Sequence, residues 1–221
     1  MGEWALIMAT ETGRRGIYLA PLKAIVEEKT ADWADQYPDI SIGLYTGETT
    51  RSSQHKRPKN EQFLLMTSEK LAAYLNNWKK NLPWLAEVDV VVIDEFHLLG
   101  DQARGPTIES LIGRLQRINP FIRFIALSAT IPNAEDLARW LNAEIFLTNW
   151  RPIPLSHRIV RFKKAAHKPQ LLINEVAQTA HTGGQSIIFV NSRKRSESLA
   201  QDLKEAGFRA DWYHAGLTYE D

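Results

Sequence analysis

The chain has 221 residues, of which 44% are hydrophobic and 24% are charged. This balance is typical of a globular protein with a sizeable core and excludes disorder as the main state. The formal net charge of +1 excludes a global attraction to nucleic acid or membrane, and the absence of cysteine excludes disulfides and thiolate metal sites.

The first two-thirds of the chain alternates between strand patterns and helix patterns. Runs rich in branched and aromatic residues predict strands at 16–21, 41–47, 63–67, 88–94 and 121–130. Amphipathic patterns predict helices at 1–12, 22–37, 68–78, 105–118 and 133–141. Strands that alternate with helices indicate βαβ units, so we expect an α/β fold with a parallel sheet.

These helices carry signals for their ends and for their inward faces. In the first helix, Trp4, Ala5, Met8 and Ala9 share one stripe, which we expect to pack inward. Ser68 and Asn133 stand at the starts of their helices and are the expected N-caps. Most of the other tryptophans also lie on apolar faces, which predicts core packing for them.

Two prolines within residues 149–155 interrupt the alternation. Beyond them the patterns predict a helix at 171–184, a strand at 185–192, a helix at 193–207 and a short strand at 209–216. This second β-α-β beginning predicts two domains, at 1–150 and 151–221. Residues 151–170 carry six basic side chains and no acidic one, which fits either a solvated hairpin or contact with a polyanion.

Adjacent carboxylates follow the most continuous apolar strand pattern, at 88–94. Asp94 ends that strand and Glu95 comes next. The carboxyl ends of parallel strands are where doubly wound folds place ligands. There, one carboxylate can hold Mg²⁺ while the other orients and deprotonates a water. The alternative interpretation is an acidic strand-end loop with no catalytic role.

Asp94-Glu95-Phe96-His97 resembles motif II of the superfamily 2 DExH-box helicases, and further blocks follow that family's order and spacing. They are Pro21-Leu22-Lys23-Ala24 (motif Ia), Thr67-Ser68-Glu69-Lys70-Leu71 (motif Ib), Ser128-Ala129-Thr130 (motif III), Trp150-Arg151-Pro152 (the segment between two lobes), Ile187 to Arg193 (motif IV) and His214-Ala215-Gly216-Leu217 (the block before motif V). Residues 100–109 resemble the branch that contains the archaeal DNA-repair helicases and the RNA helicases that serve the exosome. Ser68 stands where the family usually has proline.

The resemblance implies tandem RecA-like lobes of the P-loop NTPase type, with ATP and Mg²⁺ bound between them. It implies that Asp94 holds Mg²⁺, that Glu95 is the general base and that His97 completes the catalytic set. Ser128 and Thr130 would couple nucleotide state to nucleic-acid contacts. The implied contacts to the phosphates of one strand are Pro21, Lys23, Thr46, Gly47, Thr67, Lys70, Asn191, Ser192, Arg193, His214 and Gly216.

The chain departs from the family pattern at both ends. It holds no GxxxxGK[ST] motif and no Gly-Lys dipeptide, so the phosphate-binding lysine and the Mg²⁺-ligating hydroxyl of a P-loop are missing. We therefore expect a first lobe without its P-loop unit, which exposes part of strand 88–94, and an incomplete second lobe. The chain is then either a fragment of an ATP-dependent helicase or a non-hydrolysing nucleic-acid-binding module or split-gene remnant. By itself it is expected to be inactive.

The expected partner is single-stranded or partly duplex nucleic acid, and residues 100–109 favour DNA over RNA. The basic loop at 51–59 is a further candidate for phosphate contact, although such loops are more often solvated surface.

No stretch reaches the roughly 18 apolar residues of a membrane-spanning helix, and the N-terminus lacks the pattern of a signal peptide. We expect a cytoplasmic protein without a membrane partner. The sequence leaves the oligomeric state open.

Overall fold

The computed structural model describes residues 2–47, 58–148, 150 and 152–214. It divides into two compact units, Met1–Thr148 and Asn149–Asp221. The strands of the first unit are β1 (Arg15–Ala20), β2 (Ile42–Tyr45), β3 (Phe63–Thr67), β4 (Val88–Ile93) and β5 (Arg123–Ala126). Its helices are α1 (Gly2–Glu11), α2 (Lys23–Gln36), α3 (Ser68–Asn76), α4 (Trp78–Leu85), α5 (Gly105–Ile118) and α6 (Ala134–Leu141), with a 3-10 helix at Phe96–Gly100.

The five strands form one sheet in the order β2-β3-β1-β4-β5, and every pairing is parallel. The predicted α/β fold with a parallel sheet is thus confirmed. Strand β4 lies between β1 and β5, and its apolar residues Val88 and Val90–Ile93 are at most 2% exposed. The expectation that part of this strand is exposed is wrong, because neighbouring strands pair with both of its edges.

Alternate residues of the central strands face two apolar layers. Ile17 and Val91 pack toward α3, α4 and α5, whereas Tyr18 and Val92 pack toward α1 and α2. Strands covered by helices on both faces need apolar side chains in both directions. This requirement explains why β1, β3 and β4 read as nearly continuous apolar runs.

Helix α1 packs on the sheet through a different stripe from the expected one. Leu6 and Ala9 are buried, whereas Trp4 and Met8 are exposed, so the prediction for those two residues is wrong. The cause lies in β1, where a Cβ at Gly16 would stand only 2.4 Å from a methyl carbon of Leu6. Because Gly16 has no side chain, Leu6 can pack directly against the strand, and this contact determines which face of α1 is buried. Of the other tryptophans, Trp33 and Trp84 are buried, and Trp78, Trp140 and Trp150 are exposed.

The helix caps also differ in detail from the expectation. Thr67, not Ser68, caps α3, and its hydroxyl accepts a hydrogen bond from the Lys70 N–H at 3.4 Å. Asn133 precedes α6 but makes no side-chain cap hydrogen bond. Helix α4 is absent from the predicted elements, since its internal Pro83 argues against a helix.

The second unit contains a 3-10 helix at Ala165–His167, α7 (Lys168–His181) and α8 (Arg193–Glu205). Within residues 152–214 no segment is a strand, so the strand expected at 185–192 is wrong, as is the described part of the one at 209–216. Ile187 and Phe189 are 83% and 91% exposed. Two strand candidates are too few for a stable sheet. The assignment of this unit as the start of a second RecA-like lobe stays a prediction.

In the part of the chain that the structure describes, no helix is long and apolar enough to cross a bilayer.

Candidate functional site at the carboxyl edge of the sheet

The carboxyl ends of all five strands meet at one edge of the sheet because the strands are parallel. The register pairs Ala20 with Thr67 and Leu19 with Ile93. Along this edge, in sheet order, stand Thr46, Thr67, Pro21, Asp94 and Ser128. The candidate nucleic-acid contacts of this unit therefore follow β2, β3 and β1, and the candidate catalytic and coupling residues follow β4 and β5.

Asp94 is held by three hydrogen bonds. Its N–H donates to the carbonyl oxygen of Leu19 at 2.8 Å. The hydroxyl of Tyr18 donates to Oδ2, and the N–H of Glu95 donates to Oδ1 at 2.9 Å. Burial, together with the hydrogen bond to Asp94, raises the pKa of Tyr18 well above its usual value, so this hydroxyl remains a donor at neutral pH. Both carboxylate oxygens are thus oriented by the chain itself.

Glu95 has a left-handed backbone, with φ of 52° and ψ of 45°. That conformation costs a residue with a Cβ roughly 1–2 kcal/mol, and such residues cluster at functional sites. The turn brings the N–H of Phe96 within 2.8 Å of the Leu127 carbonyl oxygen and buries the Phe96 ring. The Glu95 side chain remains 40% exposed, so its carboxylate is accessible to water.

His97 and the Ser128-Ala129-Thr130 segment stand beside this turn. His97 Nδ1 lies 3.2 Å from Glu95 Oε2. The Leu127 N–H donates to the Ile93 carbonyl oxygen at 2.9 Å, which ties the end of β5 to the end of β4. The exposed Ser128 hydroxyl donates to the Thr130 carbonyl oxygen at 3.1 Å. The coupling role of Ser128 and Thr130 stays a prediction.

The motif Ia residues lie where β1 passes into α2. Helix α2 begins at Lys23, directly after Leu22, whose backbone is extended. Lys23 is exposed, and its Nζ lies 3.5 Å from Glu27 Oε1. On the neighbouring part of the edge, Thr46 is buried and Gly47 is exposed. Lys23 and Gly47 are therefore accessible to a partner, whereas little of Thr46 is.

Lys70 is more buried than expected for a residue predicted to contact phosphate. It is 8% exposed, and its Nζ lies 5.1 Å from the centre of the Tyr74 ring. Burial lowers the pKa of the ammonium group. The Lys70 N–H is the one that Thr67 caps, so these two predicted contacts also stabilise the start of α3. A phosphate can reach little of the Lys70 side chain in this arrangement.

In the second unit the candidate contacts are grouped around α8. Ser192 caps this helix, since its hydroxyl accepts from the Arg195 N–H at 3.2 Å. Asn191 and Arg193, on either side of Ser192, are exposed. His214 Nε2 lies 2.9 Å from Glu197 Oε1 on the same helix. Gly216 and residues 51–57 of the basic loop lie outside the described residues.

The segment after the tetrad is a tightly packed turn into α5. Asp101 Oδ1 accepts from the N–H groups of Ala103 and Arg104, each at 2.9 Å, and these bonds lower the pKa of Asp101. A Cβ at Gly105 would lie 2.2 Å from the Leu99 carbonyl oxygen. Only glycine allows this close approach, which joins the DExH turn to the first residue of α5.

Sequence reasoning missed Tyr18. The available signal was a hydroxyl within a strand predicted to be buried, because such a group needs a hydrogen-bond partner. Which partner it finds depends on β1 and β4 being neighbours in the sheet, and strand order cannot be inferred from the strand patterns alone.

The donor set at this edge suits Mg²⁺ and does not suit a metal held by protein ligands alone. Among the residues that the structure describes, no three His, Cys, Asp or Glu side chains converge in a way that could hold a metal. Mg²⁺ in nucleotide sites takes one or two carboxylates and fills its other positions with water and phosphate oxygens. A single oriented carboxylate, that of Asp94, fits this pattern.

Comparison with known proteins places these features in context. The model of the "DEAD/DEAH box helicase" family matches residues 3–137. The chain is 35% identical to the ATP-dependent DNA helicase Hel308 of Methanocella arvoryzae, an alignment that covers 92% of this chain and 29% of that protein. It is 33% identical to Hel308 of Pyrobaculum calidifontis, covering 93% and 30% respectively. The chain thus spans somewhat less than a third of these curated relatives.

A solved structure shares the fold. The crystal structure of the DUF1998 helicase MrfA, bound to DNA and AMPPNP, superposes with a TM-score of 0.72 at 24% sequence identity. The match covers 90% of this chain and 30% of the MrfA chain.

Proposed function

The chain belongs to the DEAD/DEAH box helicase family, and from that premise we propose that it is part of an ATP-dependent helicase. This helicase translocates on single strands and unwinds duplexes, and its substrate is DNA rather than RNA. The order of residues along one sheet edge carries the proposal. The oriented carboxylate of Asp94 follows β4, directly beside the strand that leads into Pro21 and Lys23.

The proposed chemistry divides the work between the adjacent carboxylates. Asp94 would hold Mg²⁺, which when bound with ATP supplies positive charge against the nucleotide phosphates. Glu95, partly exposed on its left-handed turn, would orient and deprotonate a water. His97 would restrain the Glu95 carboxylate through the contact at 3.2 Å. Ser128 and Thr130 are tied to the same turn through Leu127. They would couple the nucleotide state of the site to the nucleic-acid contacts.

We propose further that residues 1–150 and 151–221 correspond to a first RecA-like lobe and the start of a second. The division of the chain into compact units after Thr148 supports this boundary. The preference for DNA is supported by the similarity to two proteins named DNA helicases. Phosphate contacts from Lys23 and Arg193 would serve any base sequence, as translocation requires.

Fluorescence polarisation with single-stranded DNA and RNA of the same sequence, at two salt concentrations, tests the binding. We expect weak affinity that falls with salt, because contacts to phosphates release counterions. Lys23→Ala and Arg193→Ala should each reduce the salt slope by about 0.7, the value for one phosphate of a single strand. Lys80→Ala, an exposed position on α4 near the opposite edge, is the control. Salt-independent affinity, or an equal effect of the control, would contradict the proposal.

The 221 residues by themselves should hydrolyse ATP no faster than background, since they contain no Gly-Lys dipeptide. This absence also favours the second candidate function, a non-hydrolysing nucleic-acid-binding module. Phosphate release with single-stranded DNA measures the activity, and turnover near one per second that Glu95→Gln abolishes would refute the expectation. A GxxxxGK[ST] sequence encoded directly upstream would exclude the second candidate.

A further inference from the structure

Tyr18 occupies a position from which it controls the geometry of Asp94. In the β1–β4 pairing Tyr18 lies opposite Val92, two residues before Asp94, so the three side chains share one face of the sheet. The Tyr18 hydroxyl reaches along this face and donates to Asp94 Oδ2. We infer that Tyr18 is a positioning residue that orients the Asp94 carboxylate for a divalent cation, an inference that rests on the proposed Mg²⁺ role of Asp94.

The Tyr18 ring is itself fixed by aromatic packing. Its centre lies 5.2 Å from that of Trp33 in an edge-to-face arrangement, and Trp33 packs in the same way on Phe63 at 5.8 Å. All three side chains are buried. Because the ring cannot turn without opening this cluster, the hydroxyl oxygen is held within hydrogen-bond reach of Asp94.

The hydrogen bonds to Asp94 leave the carboxylate with defined free positions. Tyr18 occupies one acceptor position on Oδ2, and the Glu95 N–H occupies one on Oδ1. The remaining acceptor positions on each oxygen are then held in fixed directions before a cation arrives. Groups that orient a metal ligand in this way typically contribute about 10–100-fold to metal affinity.

The experiment measures cation binding directly and needs no ATP hydrolysis. Mn²⁺, a paramagnetic substitute for Mg²⁺, is titrated into the isotope-labelled 221-residue chain, and the broadening of the Asp94 carboxyl and Glu95 amide NMR signals is followed. Tyr18→Phe keeps the ring and its contact with Trp33 but removes the donor. We expect it to raise the Mn²⁺ concentration for half-broadening by about tenfold.

The matched control is Tyr45→Phe. Tyr45 is also a buried strand tyrosine whose hydroxyl bonds a carboxylate, that of Glu61, but it lies on β2, which β3 and β1 separate from β4. This variant should bind Mn²⁺ as the unmodified chain does. Equal binding by Tyr18→Phe and the unmodified chain would overturn the inference, as would an equal loss in Tyr45→Phe.

Asp94→Asn separates this inference from the proposed function. If it leaves the broadening unchanged, Asp94 is not the ligand and the proposed Mg²⁺ role fails. If it removes the broadening while Tyr18→Phe does not weaken it, only the positioning role fails. Should Tyr18→Phe not fold, the unmodified chain provides a second measurement. Its Tyr18 hydroxyl proton should be protected from exchange and give a cross-peak to the Asp94 side chain, and its absence would overturn the inference.

Discussion

The two compact units respond differently to similar sequence patterns. In the first, strand patterns separated by helices assemble into a five-stranded parallel sheet whose central strands are almost completely buried. In the second, residues 185–190 carry an apolar run of the same kind but form no strand, and Ile187 and Phe189 point to solvent. A strand pattern therefore indicates that a segment can pair as a strand, and the presence of neighbouring strands determines whether it does.

Hydrogen exchange should show the largest difference between the units. Amides of β1, β3 and β4 are enclosed on both faces and should exchange at least about a thousandfold more slowly than unstructured amides. Amides at 186–190 should exchange close to the unstructured rate. Mass spectrometry or NMR of the 221-residue chain measures both. Strong protection at 186–190 would show that the second unit forms a sheet in solution and would remove the contrast.

Truncating apolar side chains should affect the two units unequally. Leu65→Ala on β3 removes a fully buried side chain and should cost about 2–5 kcal/mol of unfolding free energy. Phe189→Ala removes an exposed ring and should change the free energy of unfolding by less than about 0.5 kcal/mol. Urea melts of each variant give the values. A large loss in Phe189→Ala would place that ring in a core.

Alkaline pH should destabilise the first unit through its buried tyrosines. Burial, with the nearby Glu61 charge, raises the pKa of Tyr74 to about 12, against an ordinary value of about 10. The folded state thus keeps a proton that the unfolded state releases. This stabilisation is complete below about pH 10 and is lost as the pH rises toward 12.

Tyr74→Phe should remove part of this pH dependence. The urea midpoint should fall less between pH 8 and pH 11 in this variant than in the unmodified chain. Tyr213→Phe, at an exposed position of the second unit, is the control and should leave the pH dependence unchanged. Identical pH dependence in Tyr74→Phe would mean that Tyr74 ionises equally in both states.

Ion pairs should give the smallest effects. Arg158 pairs with Glu175 in the second unit, and the Arg158 side chain is 61% exposed. Glu175→Gln should cost less than about 1 kcal/mol, as exposed pairs do. Glu87→Gln, which removes the partner of the 12%-exposed Arg15 at 2.8 Å, should cost more. Thermal melts at low and high salt compare the two variants, and a larger cost for Glu175→Gln would reverse the assignment of the tighter pair.

Local patterns predicted much of the first unit. The bounds of β3 and α5 agree with the expected 63–67 and 105–118, because an apolar run or an amphipathic repeat between clear end signals has one interpretation. The inward face of α1 could not be predicted, since it depends on the space that Gly16 leaves for Leu6. Helix α4 escaped prediction because its stability comes from packing, including the buried Trp84, and not from its local propensity.

The sequence predicted where the candidate residues lie in the fold but not which contacts they make. Position at a strand end made Asp94 and Glu95 candidates, since parallel strands bring their carboxyl ends together. The burial of Lys70 and the hydrogen bond from Tyr18 depend on which elements pack together. Both involve side chains whose partners are distant in sequence, at strand pairings and helix contacts that patterns within one segment do not describe.

Under the proposed role of Glu95 as general base, its left-handed turn sets stability and chemistry against each other. Glycine at position 95 would relieve the backbone strain and should make the chain more stable by roughly 1 kcal/mol. A library selected only for folding would therefore enrich glycine there and discard the carboxylate. A library selected for cation-dependent turnover in a complete enzyme would keep glutamate and tolerate the strain. The opposite preferences of these two selections at a single codon would measure how much foldability the chain gives up at this turn.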